Sequence, residues 1–583
     1  LAITHLEKCL EQDADNLPAL DSLAVALSAT NNHARAIEIL GPVRAAMPDS
    51  AQLAYRLGIA RYQSGDLTGA SRDLEDACRR DPANGRAKYF LAASLRGQGN
   101  WLESEKWYRE ALAHEPGSVP IQNDLASILI ELKRFDDAEK ILRTALTMDP
   151  GSADVHTNLG RLLLTMGHRA NEALAHHDKA IASRPDYAAA HNNRGAALYV
   201  LNRLKDAEAS CRRAIELKPA FPDAYLNLGN VLLYRSDYDG AASSLRTAIA
   251  QRHGDFPEAQ YMLGQVLLAQ GKFEGAWPNF DARWRCPSPG TADGGLGLPR
   301  MTRIAPQDGP VYVWAEQGLG DEILYGSMVP DLLTRGMEVI LECSARLIPL
   351  WRRSYPNLNL VERGARSDNR QILDKAKCQI PIGSLGAFVR GSAADFPVQT
   401  GFLRSDQARR NAFRKSMGTE SKLTVGLSWL SANPKIGRFK SVPLEMLCAA
   451  LPMDSVCPIN LQYGDTEGER RALAGKSGIE LVTLPDLNLQ DDMDALASAI
   501  SACDVVISVS NVTAHLAGAL GVPMWILVPM GSGRFWYWGA GGPDTPWYRT
   551  AHVFHQSSAG SWSRPLEQVA REMRDLIACK AKT

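Results

Sequence analysis

Pro48, Pro82, Pro116 and Pro150 recur at a spacing of 34 residues; Pro185 arrives one residue late, and Pro219 restores the step. A proline lacks an amide donor and biases the residue before it away from helix, so each one closes a helical segment. Twelve residues before each proline stands a small residue: Ala36, Ala70, Ser104, Ala138, Ala173 and Ala207, followed in the same register by Ala241 and Ala276. A second small position falls eight residues into each unit, at Ala24, Gly58, Ala92, Ala126, Gly160, Gly195, Gly229 and Gly264. Two close-approach positions and a helix stop, held in register over about eight units, specify stacked helix pairs that share one continuous core.

The period is that of the tetratricopeptide repeat, and it predicts an all-α superhelix over residues 1–285, the first unit partial. Residues 1–16 match only the second helix of a unit, with Ala2, Leu6, Cys9 and Ala14 at the expected offsets, which places the start of the array upstream of Leu1. Such superhelices hold partners in a groove lined by the first helix of each pair. Asn158, Asn193 and Asn227 occupy one place in three successive units and form a candidate acceptor-binding ladder, amides able to hydrogen-bond an extended peptide backbone. The plainer alternative is three solvated polar positions.

Composition narrows the partners. Lys and Arg number 64 against 65 Asp and Glu, so no whole-chain field draws nucleic acid or an anionic membrane. Ten scattered cysteines include no C-x-x-C pair and no Cys/His cluster at metal-ligand spacing, which predicts reduced thiols in a cytoplasmic protein with no metal site. No apolar run has the length of a membrane span, and LAITHLEKCLEQ has the pattern of an amphipathic helix rather than a signal peptide.

The pattern changes after Trp284. CPSPGTADGGLGLP has no periodicity and predicts a linker over 286–309. Short apolar runs then alternate with helical stretches: VYVWA, VILE, LNLVER and CQIPIG in residues 310–415, and TVGLSWL, CPINLQ, IELVTL, DVVISV and MWILVP in residues 416–583, which end in a helix. That alternation predicts two Rossmann-like α/β halves with a ligand cleft at the carboxyl ends of their strands.

Three segments carry chemistry. In EQGLGDE (316–322) Gly318 and Gly320 permit a tight strand-to-helix turn, and Asp321 stands at a helix N-terminus, either as a functional carboxylate or as one that only complements the helix dipole. NPKIGRFKS (433–441) is a basic loop in which Arg438 and Lys440 could close over a phosphate or a sugar carboxylate, or simply be solvated. VVISVSNVTAH (505–515) runs a buried strand into a polar turn and a helix start, a natural anion site with His515 one turn in, although a packed structural histidine fits the same pattern. The aromatic run RFWYW (534–538) walls a pocket or forms a core lid.

Taken together, EQGLGDEI, GLSWLSANP, NLQYG, SVSNVTAHLAGALGVP and PWYR resemble the heptosyltransferase-like domain of two-Rossmann (GT-B) glycosyltransferases that bacterial proteins carry behind tetratricopeptide repeats. The resemblance covers most of residues 310–556. It implies a metal-independent, inverting enzyme without a cofactor, with Asp321 as general base and a donor site formed by Gly318, Gly320, Arg438, Lys440, Gln462, Ser510, Asn511, Thr513, His515 and Arg534. Ser510-Asn511 stands where relatives often have Asp followed by Thr, and Arg534-Phe535-Trp536 replaces Trp-Arg-Trp, which leaves the donor open. The architecture resembles the repeat-bearing flagellin O-glycosyltransferases. That likeness implies transfer of a nonulosonic acid from a CMP-linked donor to Ser or Thr of flagellin, held by the repeats with or without its chaperone. Alternatives are an enzyme acting on a glycan or lipid-linked acceptor, and a non-catalytic repeat scaffold.

Overall fold

The computed structural model describes residues 2–13, 16–30, 32–286, 297–398, 400–417, 422–434, 436–484 and 487–580. Leu1, Ala14, Lys435 and residues 287–296 of the expected linker lie outside the described residues. The chain forms two compact units, Leu1–Pro219 and Ala220–Thr583.

The first unit is helical throughout. The second helices of its pairs end at Ala46, Arg80, His114, Met148, Ser183 and Leu217, each two residues before the periodic proline. The small residues have the packing role their spacing predicts: all eight, from Ala36 to Ala276, are fully buried. Where the second small position is glycine, a neighbouring helix fills the space. A Cβ on Gly160 would sit 2.5 Å from the His177 ring.

The array of helix pairs runs past the boundary between the units. The helices Pro222–Tyr234, Tyr238–Gln251, Pro257–Ala269 and Phe273–Phe280 continue the repeat pattern but pack with the sheets, so the compact units divide inside the array rather than at the Gly/Pro-rich stretch. The attachment is made of large side chains. Trp277 is buried, donates its indole N–H to the Arg390 carbonyl (2.7 Å) and lies so close to Gly386 that a Cβ there would be 2.2 Å from its ring. Phe273 meets Phe396, and Phe280 meets Trp536.

The rest of the second unit holds two parallel sheets flanked by helices. The first has strands β1 (Val311–Trp314), β2 (Val339–Cys343), β3 (Asn359–Glu362) and β4 (Cys378–Pro381) in the order β3-β2-β1-β4. The second has β5 (Leu423–Ser428), β6 (Val456–Asn460), β7 (Val505–Val509), β8 (Met524–Val528) and β9 (Ala551–His555) in the order β6-β5-β7-β8-β9. Two differences from the sequence reading stand out. IELVTL is not a strand: Val482 makes one isolated bridge to Ile459, and its neighbours are half exposed. The fifth strand of the second sheet is instead β9, paired in parallel with β8 from Met524↔Ala551 to Val528↔His555.

Each sheet has a switch point where the chain reverses its direction of strand addition, between β1 and β4 and between β5 and β7. Ligands of open α/β sheets bind outside the strand carboxyl ends at such points.

Candidate active site

Both switch points deliver the residues singled out from the sequence. After β1 the backbone turns through Gln317, whose φ of 61° is left-handed, into Gly318 and the helix Leu319–Gly326. Asp321 is the third residue of that helix and accepts a hydrogen bond from the Gly318 amide (3.2 Å). Burial pushes its carboxyl up to about 6; the nearby Glu316 adds to the rise, while the Gly318 amide and Lys440 oppose it. Glu316 is fixed in place: both oxygens pair with Arg283, and Oε1 also accepts from the Gly383 amide at the end of β4.

The second sheet supplies the facing wall. Lys440, buried at the end of the basic loop, donates from Nζ to the Ser510 carbonyl (2.9 Å) and lies over the Phe535 ring at 4.9 Å. Burial brings its ammonium down to about 8, an effect opposed by the Asp321 charge. His515 lies on the helix Val512–Leu520, which packs against the Leu319–Gly326 helix at a glycine: a Cβ on Gly320 would be 3.0 Å from His515 Cδ2. Gly318, Gly320, Asp321, Lys440, Ser510 and His515 therefore belong to one locus.

Other expected donor ligands are occupied by the protein itself. Asn511 caps its helix through Oδ1, which accepts from the Ala514 amide, and its Nδ2 donates to Ser428 and the Leu430 carbonyl. Gln462 accepts from Ser428 and the Leu430 amide and donates to the Tyr463 carbonyl. Ser510 Oγ accepts the Trp538 indole N–H (2.8 Å), and the fully buried Thr513 hydroxyl points to the Leu461 carbonyl (3.5 Å). These four side chains join the ends of β5, β6 and β7 and hold the turn in shape.

Burial, with Lys440 nearby, drives the His515 imidazole down to about 3, so the ring is neutral at ordinary pH. Its Nδ1 shares a hydrogen bond with the Tyr548 hydroxyl (2.9 Å), and its ring stacks on Trp538. Arg534 is also redirected. Its guanidinium donates to Ser236 Oγ (2.6 Å) and the Gly539 carbonyl, against the ring of Tyr238, so it ties the second sheet to a repeat helix. Arg438 is exposed and stacks on Phe439. In the RFWYW run Trp536, Tyr537 and Trp538 are all buried; Trp538 meets Ser510 and His515, and Phe535 lies under Lys440.

Sequence reasoning missed the phenols. Tyr261, Tyr325, Tyr537 and Tyr548 each feel the Asp321 charge, and burial raises all four hydroxyls, Tyr261 to about 12. Tyr261 comes from a repeat helix, Pro257–Ala269, so the array contributes to the surroundings of Asp321. Tyr548 sits in the PWYR motif, whose tyrosine between a tryptophan and an arginine was the available signal.

In the repeats, Asn158 donates to Asn123 Oδ1 (2.8 Å) and to Ser127, which makes Asn123 a further rung one unit earlier. Asn193 accepts from the neighbouring Asn192. Asn227 lies in the second unit, on the helix Pro222–Tyr234.

Tetratricopeptide-repeat models match residues 22–77, 55–119, 95–162, 188–221 and 226–282. The N-terminal part is a tetratricopeptide-repeat array. Protein FlbA of Caulobacter vibrioides is 27% identical over 545 residues, covering 89% of each chain, so the similarity extends through the sheets as well. Among solved structures, the APC/C Cut9–Hcn1 assembly aligns over 46% of this chain and 52% of its own (18% identity, TM-score 0.39). The type IV pilus biogenesis factor PilW aligns over 33% and 90% (23% identity, TM-score 0.31). A repeat protein from Parabacteroides merdae aligns over 40% and 92% (19% identity, TM-score 0.35). No helix among the described residues is long and apolar enough to cross a membrane, and no group of three or more His, Cys, Asp or Glu among them is placed to hold a metal ion.

Proposed function

We propose that the locus around Asp321 is the active site of an inverting protein O-glycosyltransferase and that the repeats hold its protein acceptor. The observation that carries this reading is the juxtaposition of a carboxylate raised to about 6 at one switch point with a buried lysine at the other. A neutral Ser or Thr hydroxyl is a poor nucleophile. A positioned carboxylate with a pKa close to working pH accepts its proton as the bond to the anomeric carbon forms. Lys440 and the start of the Val512–Leu520 helix then stabilise the departing phosphate, and the neutral His515 positions the helix Leu319–Gly326 through its contact at Gly320.

From the resemblance of the motifs, the donor is a CMP-linked nonulosonic acid and the acceptor is flagellin in the cytoplasm. With Arg534 engaged by Ser236, Arg438 is the candidate for the sugar carboxylate. The test is incubation of the full chain with CMP-nonulosonic acid and flagellin, read by intact-protein mass. A mass increase of one sugar per modified site, absent with Asp321→Asn, supports the reading. Transfer that persists in that variant removes Asp321 as base, and transfer only to free glycan acceptors replaces the protein substrate.

A further inference from the structure

A cavity of about 430 Å³ lies in the Ala220–Thr583 unit, lined in part by Tyr548, whose hydroxyl meets His515. Its size falls within the range of small-molecule sites. Its aromatic walls are rigid: Phe396 and Trp547 meet edge to face at 5.1 Å, and the Tyr548 ring lies so tightly on the Val512–Leu520 helix that a Cβ on Gly518 would be 2.3 Å from it. A flat apolar body fits such walls.

The polar part of the lining is cationic. Arg390 is 1% exposed; its Nη2 pairs with Asp331 (2.8 Å), its Nη1 donates to the Val389 and Asp395 carbonyls, and its buried Nε has no hydrogen-bond partner. Arg335 and Arg549 are exposed. Arg335 donates to the Phe388 carbonyl, and among the described residues neither guanidinium forms an ion pair with a carboxylate. Three arginines line the cavity against one lining carboxylate, Asp331; with Asp395, which feels the Arg335 charge from outside the lining, the balance is still positive, and the donor forks match a carboxylate or phosphate.

We propose that this cavity binds a small organic anion, a carboxylate or phosphate monoester carried on a ring, with the ring against Phe396, Trp547 and Tyr548 and the anion between Arg335 and Arg549. Nothing in this assignment depends on the transferase reading. It adds a ligand that shares the Tyr548 wall with the candidate active site.

Benzoate and phenyl phosphate are the probes, with benzyl alcohol and inorganic phosphate as controls, titrated into the full chain and followed by tryptophan fluorescence and melting temperature. The proposal expects saturable binding of at least one ring anion, weaker binding of both controls, and about a tenfold loss of affinity in the Arg335→Ala/Arg549→Ala double variant. Both arginines are exposed, so the variant should retain the fold, which its unliganded melting curve checks. Tighter binding of benzoate assigns the site to carboxylates; tighter binding of phenyl phosphate assigns it to phosphates. Absence of saturable binding by both ring anions, or equal affinity in the double variant, overturns the proposal.

Discussion

The guanidinium of Arg283 grips both carboxylate oxygens of Glu316, at 2.9 and 3.1 Å, with both side chains almost wholly buried. Arg283 ends the helical array, and Glu316 opens the EQGLGDE turn. Removing one partner of a buried ion pair strands the other charge and costs about 3–5 kcal/mol. Glu316→Gln should therefore lower the denaturant midpoint of the Ala220–Thr583 unit. Because Glu316 helps to raise Asp321, the same variant should also move the acid limb of any activity profile to lower pH.

Activity should trace a bell against pH. Asp321 must be ionised to accept a proton, so kcat rises with pH through about 6. Lys440 must be protonated to stabilise the leaving group, so kcat falls as pH passes about 8. Lys440→Met should lower kcat, remove the alkaline limb and move the acid limb to higher pH, because the Lys440 charge opposes the rise of Asp321. A profile flat from pH 5 to 9 would contradict both roles.

Asp321 also bears on stability, with a definite sign. Its folded value lies above that of the unfolded chain, so the folded state holds the extra proton, and its contribution is lost as pH rises through about 6. Asp321→Asn should melt higher than the parent at pH 7–8, and the difference should vanish near pH 4. Differential scanning calorimetry at both values checks this.

The first unit should be acid-sensitive in the opposite sense. His156 and His176 share a hydrogen bond between their Nδ1 atoms (2.9 Å), and His177 is fully buried with both ring nitrogens unpartnered. Burial takes His176 and His177 down to about 4, so the unfolded chain binds more protons between pH 6.5 and 4, and stability falls as pH drops through that window. For His177 the loss amounts to about 3 kcal/mol. His177→Leu should flatten the pH dependence, measured as the urea midpoint of the repeat transition at pH 7 and pH 5.

Gly264 offers a packing test inside the array. A Cβ there would lie 2.4 Å from the Phe280 backbone nitrogen, which cannot rotate away as a side chain can. Gly264→Ala should cost about 1–3 kcal/mol by overpacking, visible in thermal melts, whereas Gly275→Ala meets no atom within 4 Å and should be close to neutral.

The helix pairs were legible because their code is periodic: a proline and two small residues repeat at fixed offsets, and each offset has one packing cause. The first eight strands were legible where apolar runs were short and flanked by turns. AHVFH was not, because His552 and His555 break the apolar run that marks a buried parallel strand, and IELVTL misled because its apolar residues border an edge that makes only one bridge. At the site, residue type located Asp321, Lys440 and His515. It could not tell which polar side chains the fold itself engages: Gln462, Ser510, Asn511 and Thr513 have the chemistry of ligand donors, and in the structure they bond Ser428, Trp538 and the backbone. The direction of Arg534 was equally hidden, since its partner Ser236 lies 298 residues earlier.

The division between the units at Pro219, rather than in the Gly/Pro-rich stretch, changes how the protein can be taken apart. A cut at residue 285 would bare Gly386, Phe396 and Trp536 and strip away Arg283 and Tyr261, so loss of function in such a truncation would say nothing about acceptor delivery. A cut after Pro219 keeps these neighbours. For anyone exchanging helical arrays between relatives, the compact helical unit ends at Pro219, and the two helix pairs that follow travel with the sheets.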